Sequence, residues 1–321
     1  MDSGGSRTAV QVALFRALES ARSPSERLFV DPYAVRFLGG GYRVAALAAK
    51  VAPVGRRLER YIDSRWPSGP RGSAVVRTRL IDDWVGEFGS GSRAGAGPEA
   101  GAGVGPEAGD GAGVGVGPEA GDGVGVGAGG GALQVLVLGA GFDSRAHRLP
   151  ALADATVFEV DHPATQAVKQ RVLRGRVVFV PVDFLRDDLG AALTRAGFDP
   201  NVRTVVIWEG VTNYLTEAAV DSTVRVVVSL VPLGSEVIFT YVDRAVLSGD
   251  PDDVETWRGA VSAVGEPWTF GFDPAELPSY LSARGLRLLD DLSTRDAAAR
   301  YGRSEPTAAF YRVARAEVVG A

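Results

Sequence analysis

Val135-Leu136-Val137-Leu138-Gly139-Ala140-Gly141-Phe142-Asp143-Ser144-Arg145 is the stretch on which the fold turns. Four consecutive apolar residues followed by two glycines one residue apart read as a buried strand running into a tight turn, with a helix expected beyond it. Glycines at such a turn let the backbone approach a ligand closely. A tight turn that binds nothing is the bland alternative. A dinucleotide fingerprint would place a third glycine at position 144, where this chain has Ser144, so the match to that pattern is incomplete.

Working outward, apolar runs alternate with amphipathic stretches from Ala132 to the C-terminus. Strands are expected at Gln134–Leu138, Thr156–Val160, Val177–Pro181, Thr204–Trp208, Glu236–Tyr241, Leu286–Leu289 and Ala309–Ala314. Helices are expected between them, among others at Pro163–Leu173, Thr216–Val231 and Pro274–Ala283. This alternation is the βαβ signature, and it predicts an α/β fold with a doubly wound, seven-stranded, mostly parallel sheet.

In such folds the residues at the carboxyl ends of strands face the ligand. The second strand ends in Phe158-Glu159-Val160-Asp161-His162-Pro163, about 20 residues after the glycines, where doubly wound folds meet a ribose. A carboxylate at Asp161 can accept from both ribose hydroxyls, and it can equally cap the helix that starts at Pro163. The third strand runs into Val182-Asp183-Phe184. In an adenosine site Asp183 can accept from the adenine amino group while the Phe184 N–H donates to the ring; a surface turn is the alternative. The fourth runs into Trp208-Glu209-Gly210-Val211-Thr212-Asn213-Tyr214-Leu215, where Glu209 reads as a ligand contact or a salt bridge.

Upstream, Val10-Val12-Leu14-Phe15-Leu18 and Val75-Leu80-Ile81-Trp84-Val85-Phe88 recur at helical spacing, so residues 1–90 are expected to form a helical cap, with a helix start at Asp31-Pro32. Residues 91–131 consist almost wholly of Gly, Ala, Val, Pro, Glu and Asp, with Gly-Pro-Glu-Ala-Gly three times. Too few large apolar side chains are present there to oppose the entropy of the glycines, so a solvated, low-complexity insertion is expected. The core is then 132–321.

The chain has 321 residues, 45% hydrophobic and 23% charged, which suffices for a full core. A net charge of -5 disfavours a nucleic-acid partner, which needs a concentrated basic patch. With no cysteine there is no disulfide framework, thiolate zinc site or cysteine nucleophile, and two histidines make a histidine-rich metal site unexpected. No leader-like N-terminus and no run of 18 apolar residues is seen, so a cytoplasmic protein without a membrane partner is expected. Oligomeric state is not legible.

Taken in order, Arg77-Thr78-Arg79, Leu-Gly-Ala-Gly-Phe-Asp-Ser-Arg (138–145), Phe-Glu-Val-Asp-His-Pro (158–163), Val-Asp-Phe (182–184) and Trp-Glu-Gly-Val-Thr-Asn-Tyr-Leu (208–215) resemble the leucine carboxyl methyltransferase family. The likeness is to its bacterial, largely actinobacterial branch of S-adenosylmethionine-dependent O-methyltransferases, and it runs from about Leu18 to Leu292 without the Gly-rich insertion. It implies a Rossmann-like class I methyltransferase core with S-adenosyl-L-methionine as cofactor and no metal. Arg77 is implied to pair with the methionine carboxylate, with Arg79 as its rival. Gly139 and Gly141 would pass under the methionine and ribose, and Asp161 would hold the ribose hydroxyls. Asp183 and Phe184 would bracket the adenine, and Glu209 would meet the methionine amino group.

The branch includes carboxyl methylators of polyketides and peptides, so the expected acceptor is a carboxylate of a small molecule or peptide. A carboxylate is ionised at neutral pH and needs no general base. Tyr214 is the first candidate for touching the acceptor, with Asn213 and Arg244 behind it; each can also be a packing or surface residue. The helical cap from Leu14 to Phe88, together with residues 244–272 and their Trp257, Trp268 and Phe270, is expected to build the acceptor pocket, although the aromatics can be ordinary core. Two rival functions are an NAD-dependent oxidoreductase on a similar fold and a catalytically silent protein that binds the cofactor or a partner.

Overall fold

The computed structural model describes residues 7–91, 133–184, 186–248, 257, 259 and 267–320. The Gly-rich segment expected over 91–131 lies outside them, Gly91 apart, as does much of the expected pocket segment 244–272.

The seven strands are β1 (Gln134–Leu138), β2 (Thr156–Asp161), β3 (Val177–Pro181), β4 (Thr204–Trp208), β5 (Glu236–Val242), β6 (Leu286–Ser293) and β7 (Tyr311–Val318). They form one sheet in the order β3-β2-β1-β4-β5-β7-β6. β1 to β5 are mutually parallel, and β7 runs antiparallel between β5 and β6. The sheet is thus mostly parallel, as the alternation predicts. β6 and β7 extend further than the sequence suggests.

Strand periodicity divides the side chains between two cores. Leu136 and Leu138 of β1, Val206 and Trp208 of β4, and Phe239 of β5 enter one apolar cluster. Val135 and Val137, Val205 and Ile207, and Ile238 enter the other. A sheet buried on both faces needs helices on both faces, and the chain supplies them.

The N-terminal helices are α1 (Arg7–Ala21), α2 (Gly40–Ala48), α3 (Ala52–Arg65) and α4 (Pro70–Gly89). Further along come α5 (Arg145–Arg148), α6 (Pro163–Val172), α7 (Leu189–Arg195), α8 (Glu217–Leu230), α9 (Leu277–Ser282) and α10 (Thr294–Arg300). α7, α8 and α9 pack on the first face, and α4 and α10 on the second. α4 therefore does more than cap: Leu80, Ile81 and Trp84 are buried directly against the sheet, each stabilising it by roughly 1.5–3 kcal/mol. The remaining N-terminal elements form a third cluster in which Phe37 stacks on Phe142 of the glycine loop, with ring centroids 4.5 Å apart.

Asp31 ties this cluster to the core. Its Oδ1 accepts the N–H groups of Tyr33 and Ala34, starting a short 3-10 helix (Ala34–Phe37), while its Oδ2 accepts from Arg16 at 2.9 Å and from Ser144 at 2.7 Å. The helix start expected at Asp31-Pro32 is thus a single 3-10 turn. Among the described residues no helix is long and apolar enough to cross a membrane.

Candidate active site

The carboxyl ends of β1 to β4 open on a cavity of about 370 Å³. It lies where the chain, having built β1, β2 and β3 in one direction, returns to lay β4 on the other side of β1. Ligands sit at this switch point in open α/β sheets. The Gly139–Gly141 turn lines it. Gly139 has φ +63°, and a Cβ there would stand 2.4 Å from Val211 Cγ2 in the loop after β4. Both its conformation and the close approach of the two loops require glycine.

Asp161, at the end of β2, is joined to this turn: its Oδ2 accepts the Gly141 N–H, and its Oδ1 accepts the His162 N–H at 2.6 Å. Burial pushes its carboxyl above the ordinary value against the pull of these two hydrogen bonds. The cap of α6 falls to His162, whose Nδ1 accepts the Ala164 N–H at 3.2 Å. Asp161 is left facing the cavity.

One end of the cavity is charged. Arg77 projects from α4 and donates through Nε to Glu209 Oε1 at 2.8 Å, and its guanidinium lies 4.9 Å from the Tyr311 ring centroid. The other Glu209 oxygen is 2.8 Å from Arg145 Nη1. Burial alone would raise the Glu209 carboxyl; Arg145 and Arg77 outweigh it and hold it below its ordinary value. Arg79 stands two residues on, more than half a helical turn away. It pairs with Asp83 at 2.9 Å and donates to the Leu28 carbonyl. Of the two arginines, Arg77 lines the cavity and Arg79 points elsewhere. Asp183 and Phe184, just after β3, also line it.

The acceptor candidates divide. Tyr214, in the 3-10 turn Thr212–Tyr214, lines the cavity. Asn213 does not: it is buried in that turn, neither amide atom has a hydrogen-bond partner among the described residues, and its backbone carbonyl accepts the Thr269 N–H at 2.8 Å. Arg244 does not either. It opens the short helix after β5, with its half-exposed guanidinium 3.4 Å from Glu276 and bonded to the Gly271 carbonyl. Trp257 and Trp268 line the cavity, and Trp257 stacks on Tyr311 with centroids 5.6 Å apart and planes 4° from parallel. Phe270 packs into the sheet core.

The cap does contribute a wall, through Gln11, Val12 and Phe15 of α1, which begins lining the cavity before the expected Leu14, and Arg16 donates to the Phe142 carbonyl. Some lining groups were not singled out by the sequence reading. Tyr311, at the start of β7, is one. Behind Glu209, Arg145 is held by Asp143 and by Asp82 of α4, and Asp82 is held in turn by Arg148. Asp143 and Arg145 stand inside the glycine-loop motif itself, and two charges within an otherwise buried loop were the available signal.

Residues 9–96 and 125–228 match the leucine carboxyl methyltransferase family. A Frankia alni protein named "Putative S-adenosyl-L-methionine-dependent methyltransferase" is 32% identical over 311 residues, covering 94% of this chain and 88% of its own. A Bacillus subtilis protein with the same description is 35% identical over 173 residues, which cover 51% of this chain and 57% of the relative. The crystal structure titled as a putative methyltransferase from Thermobifida fusca shares the fold, with a TM-score of 0.56 at 15% identity over 99% of this chain and 97% of that one. A DUF574 family protein from Streptomyces avermitilis gives 0.54 at 16% identity over 94% and 99%. The extended sequence match, carried on this fold, shows that the chain belongs to the leucine carboxyl methyltransferase family of S-adenosyl-L-methionine-dependent methyltransferases.

Proposed function

We propose that the protein transfers a methyl group from S-adenosyl-L-methionine to an oxygen, with a carboxylate of a small molecule or peptide as acceptor. The cavity fits the cofactor by its chemistry. It has a cation and an anion at one end for an α-amino acid, a buried carboxylate beside the glycine turn for a ribose diol, and an acid followed by an aromatic residue at the end of β3 for an adenine. On this reading Arg77 would hold the methionine carboxylate and Glu209 its ammonium group. Asp161 would take the ribose hydroxyls, and Asp183 and the Phe184 N–H would bracket the base. Gly139 and Gly141 would let the backbone pass under the ligand.

Bound there, the cofactor would supply a methyl group on a sulfonium sulfur, open to an acceptor oxygen with a neutral thioether as the leaving group. The chain's task is alignment and exclusion of water. α1 and the Trp257, Trp268, Tyr311 and Tyr214 side chains wall the cavity, and on this reading Tyr214 would touch the acceptor.

One observation carries the preference for a carboxylate. The acids and the histidine that line the cavity are already engaged: Asp143 and Glu209 with arginines, Asp161 with two backbone N–H groups, Asp183 with Arg186 at 3.7 Å, and His162 Nδ1 with the Ala164 N–H. None is poised to remove a proton, so an acceptor that arrives ionised suits the site better than a phenol. Incubation with methyl-labelled cofactor and a panel of aryl and alkyl carboxylates, phenols and peptides, read by mass spectrometry, tests this. Label lost in mild base marks an ester and supports the proposal. Alkali-stable label, or no transfer to any carboxylate while a phenol is methylated, overturns it.

A further inference from the structure

Glu209 is faced by Arg77 from α4, by Arg145 and Asp143 from the glycine loop, and by Arg16 from α1. Of these, Arg145 alone is placed behind the carboxylate, outside the cavity lining. Its Nη1 meets Glu209 Oε2 at 2.8 Å and also Asp143 Oδ2, while its Nε donates to Asp82 Oδ1 at 2.8 Å. Its backbone N–H donates to Asp143 Oδ1 at 2.7 Å, and Arg148 clamps both oxygens of Asp82. Arg145 is 3% exposed. A fully buried guanidinium with three carboxylate partners cannot turn without leaving buried charge unpaired, so it fixes the position of whatever it holds.

We propose that Arg145 is the positioning residue of the cofactor site: anchored by Asp82 and Asp143, it holds Glu209 as an oriented anion aimed at the ammonium group of the methionyl moiety. This rests on the assignment of Glu209 made above. The charges support it. Arg77, Arg145 and Arg148 balance Asp82, Asp143 and Glu209, so a zwitterionic amino-acid group enters a neutral cluster and leaves it neutral. Without Arg145 the same cluster carries one excess negative charge, with Glu209 and Asp143 facing each other and only Arg77 and the more distant Arg16 to hold Glu209 ionised.

The test is calorimetric and needs no turnover. S-adenosylhomocysteine carries the amino-acid end, and 5′-methylthioadenosine is the same adenosine thioether without it. The wild-type protein should prefer the first, equally at about pH 6 and about pH 8, since Glu209 stays ionised. In R145Q, S-adenosylhomocysteine should bind roughly tenfold or more weakly, and more weakly still toward pH 6 as Glu209 takes up a proton. 5′-Methylthioadenosine should stay within about twofold. R145Q buries unpaired acids and can fail to fold; the charge-balanced double variant R145Q/D143N is then measured, with the same expectation. R145K, which keeps the charge without the fork, should recover the pH-independence but only part of the affinity.

Equal losses for both ligands, or no loss of preference in either variant, would overturn the positioning role. A wild-type protein that binds neither ligand would sink the assignment of the site itself, and one that binds both equally would remove Glu209 from the ammonium group.

Discussion

Gly139→Ala is the sharpest test of the turn that carries the site. Two costs are separable. Alanine at φ +63° pays the left-handed penalty, about 1–2 kcal/mol. Its Cβ would also lie 2.4 Å from Val211 Cγ2, a full ångström inside ordinary contact, and relief by moving the valine or the loop after β4 costs about 1–3 kcal/mol. The single variant should therefore lose roughly 2–5 kcal/mol in urea unfolding. Val211→Ala in the wild-type background removes only part of a half-buried side chain and should cost about 1 kcal/mol. In the G139A background the same change removes the clash, so the double variant should be no less stable than G139A alone, with a coupling energy of about 1–3 kcal/mol. The backbone penalty stays in both, so stability should not return to the wild-type level. Additivity within about 0.5 kcal/mol would refute the claim that the two loops are in contact through this glycine.

Arg77→Met should weaken S-adenosylhomocysteine binding roughly tenfold or more while Arg79→Ala changes it by less than about twofold; calorimetry showing the reverse would exchange the two arginines. Asp161→Asn should weaken S-adenosylhomocysteine and 5′-methylthioadenosine alike, each by about tenfold, because both carry the ribose; a loss confined to the first would detach Asp161 from the sugar. The third prediction concerns pH. Burial, opposed by Arg71, pushes the Glu59 carboxyl up to about 7 from 4.5. The folded state then holds a proton that the unfolded chain has released, so this group's contribution is full below pH 4.5 and is lost as pH rises to 7. Glu59→Gln should flatten that decline in the urea midpoint, and an unchanged slope would show that Glu59 titrates normally.

How much of this was legible depended on whether a signal was local. β1 and β4, buried along their whole length at the centre of the sheet, span the residues their apolar runs predict, and so does β3, although it is an edge strand and only partly buried. β6 and β7 continue past their apolar residues into Asp290, Asp291, Arg312, Arg315 and Glu317. All but Asp290 are paired across the sheet, Arg312 with Asp291 at 3.0 Å, Arg315 with Glu236 at 2.7 Å and Glu317 with Arg287. No periodicity announces such partners.

The same division holds at the site. Asp161, Asp183 and Glu209 could be found because a parallel sheet delivers strand ends to one place. Arg244 follows directly on Asp243, which bridges to Phe272, and its side chain reaches Glu276 at 3.4 Å instead of the cavity. Arg145 sits in plain view within the glycine-loop motif, yet its meaning lies in Asp82, 63 residues upstream, and Glu209, 64 residues downstream. The nicotinamide reading loses its footing at Ser144, where the hydroxyl is buried and bonded to Asp31 in place of a glycine.

On the proposed assignment of Arg77 and Glu209, recognition of a zwitterion sets a physical problem that this arrangement would answer. A cation and an anion placed close enough to grip one amino-acid group also attract each other, and in a buried site that attraction is strong. Arg77 and Glu209 are paired in this way at 2.8 Å, and without a second anchor for each, breaking that pair for the ligand would leave both charges unpartnered. Arg77 has the Tyr311 ring as a second neighbour at 4.9 Å, and Glu209 has Arg145 on its far oxygen at 2.8 Å. Ligand binding can then exchange one contact of each residue while the other persists, so neither charge is left alone in a low-dielectric setting. The buried line of Arg148, Asp82 and Arg145 makes that persistence possible, since an anchor that could itself swing away would hold nothing.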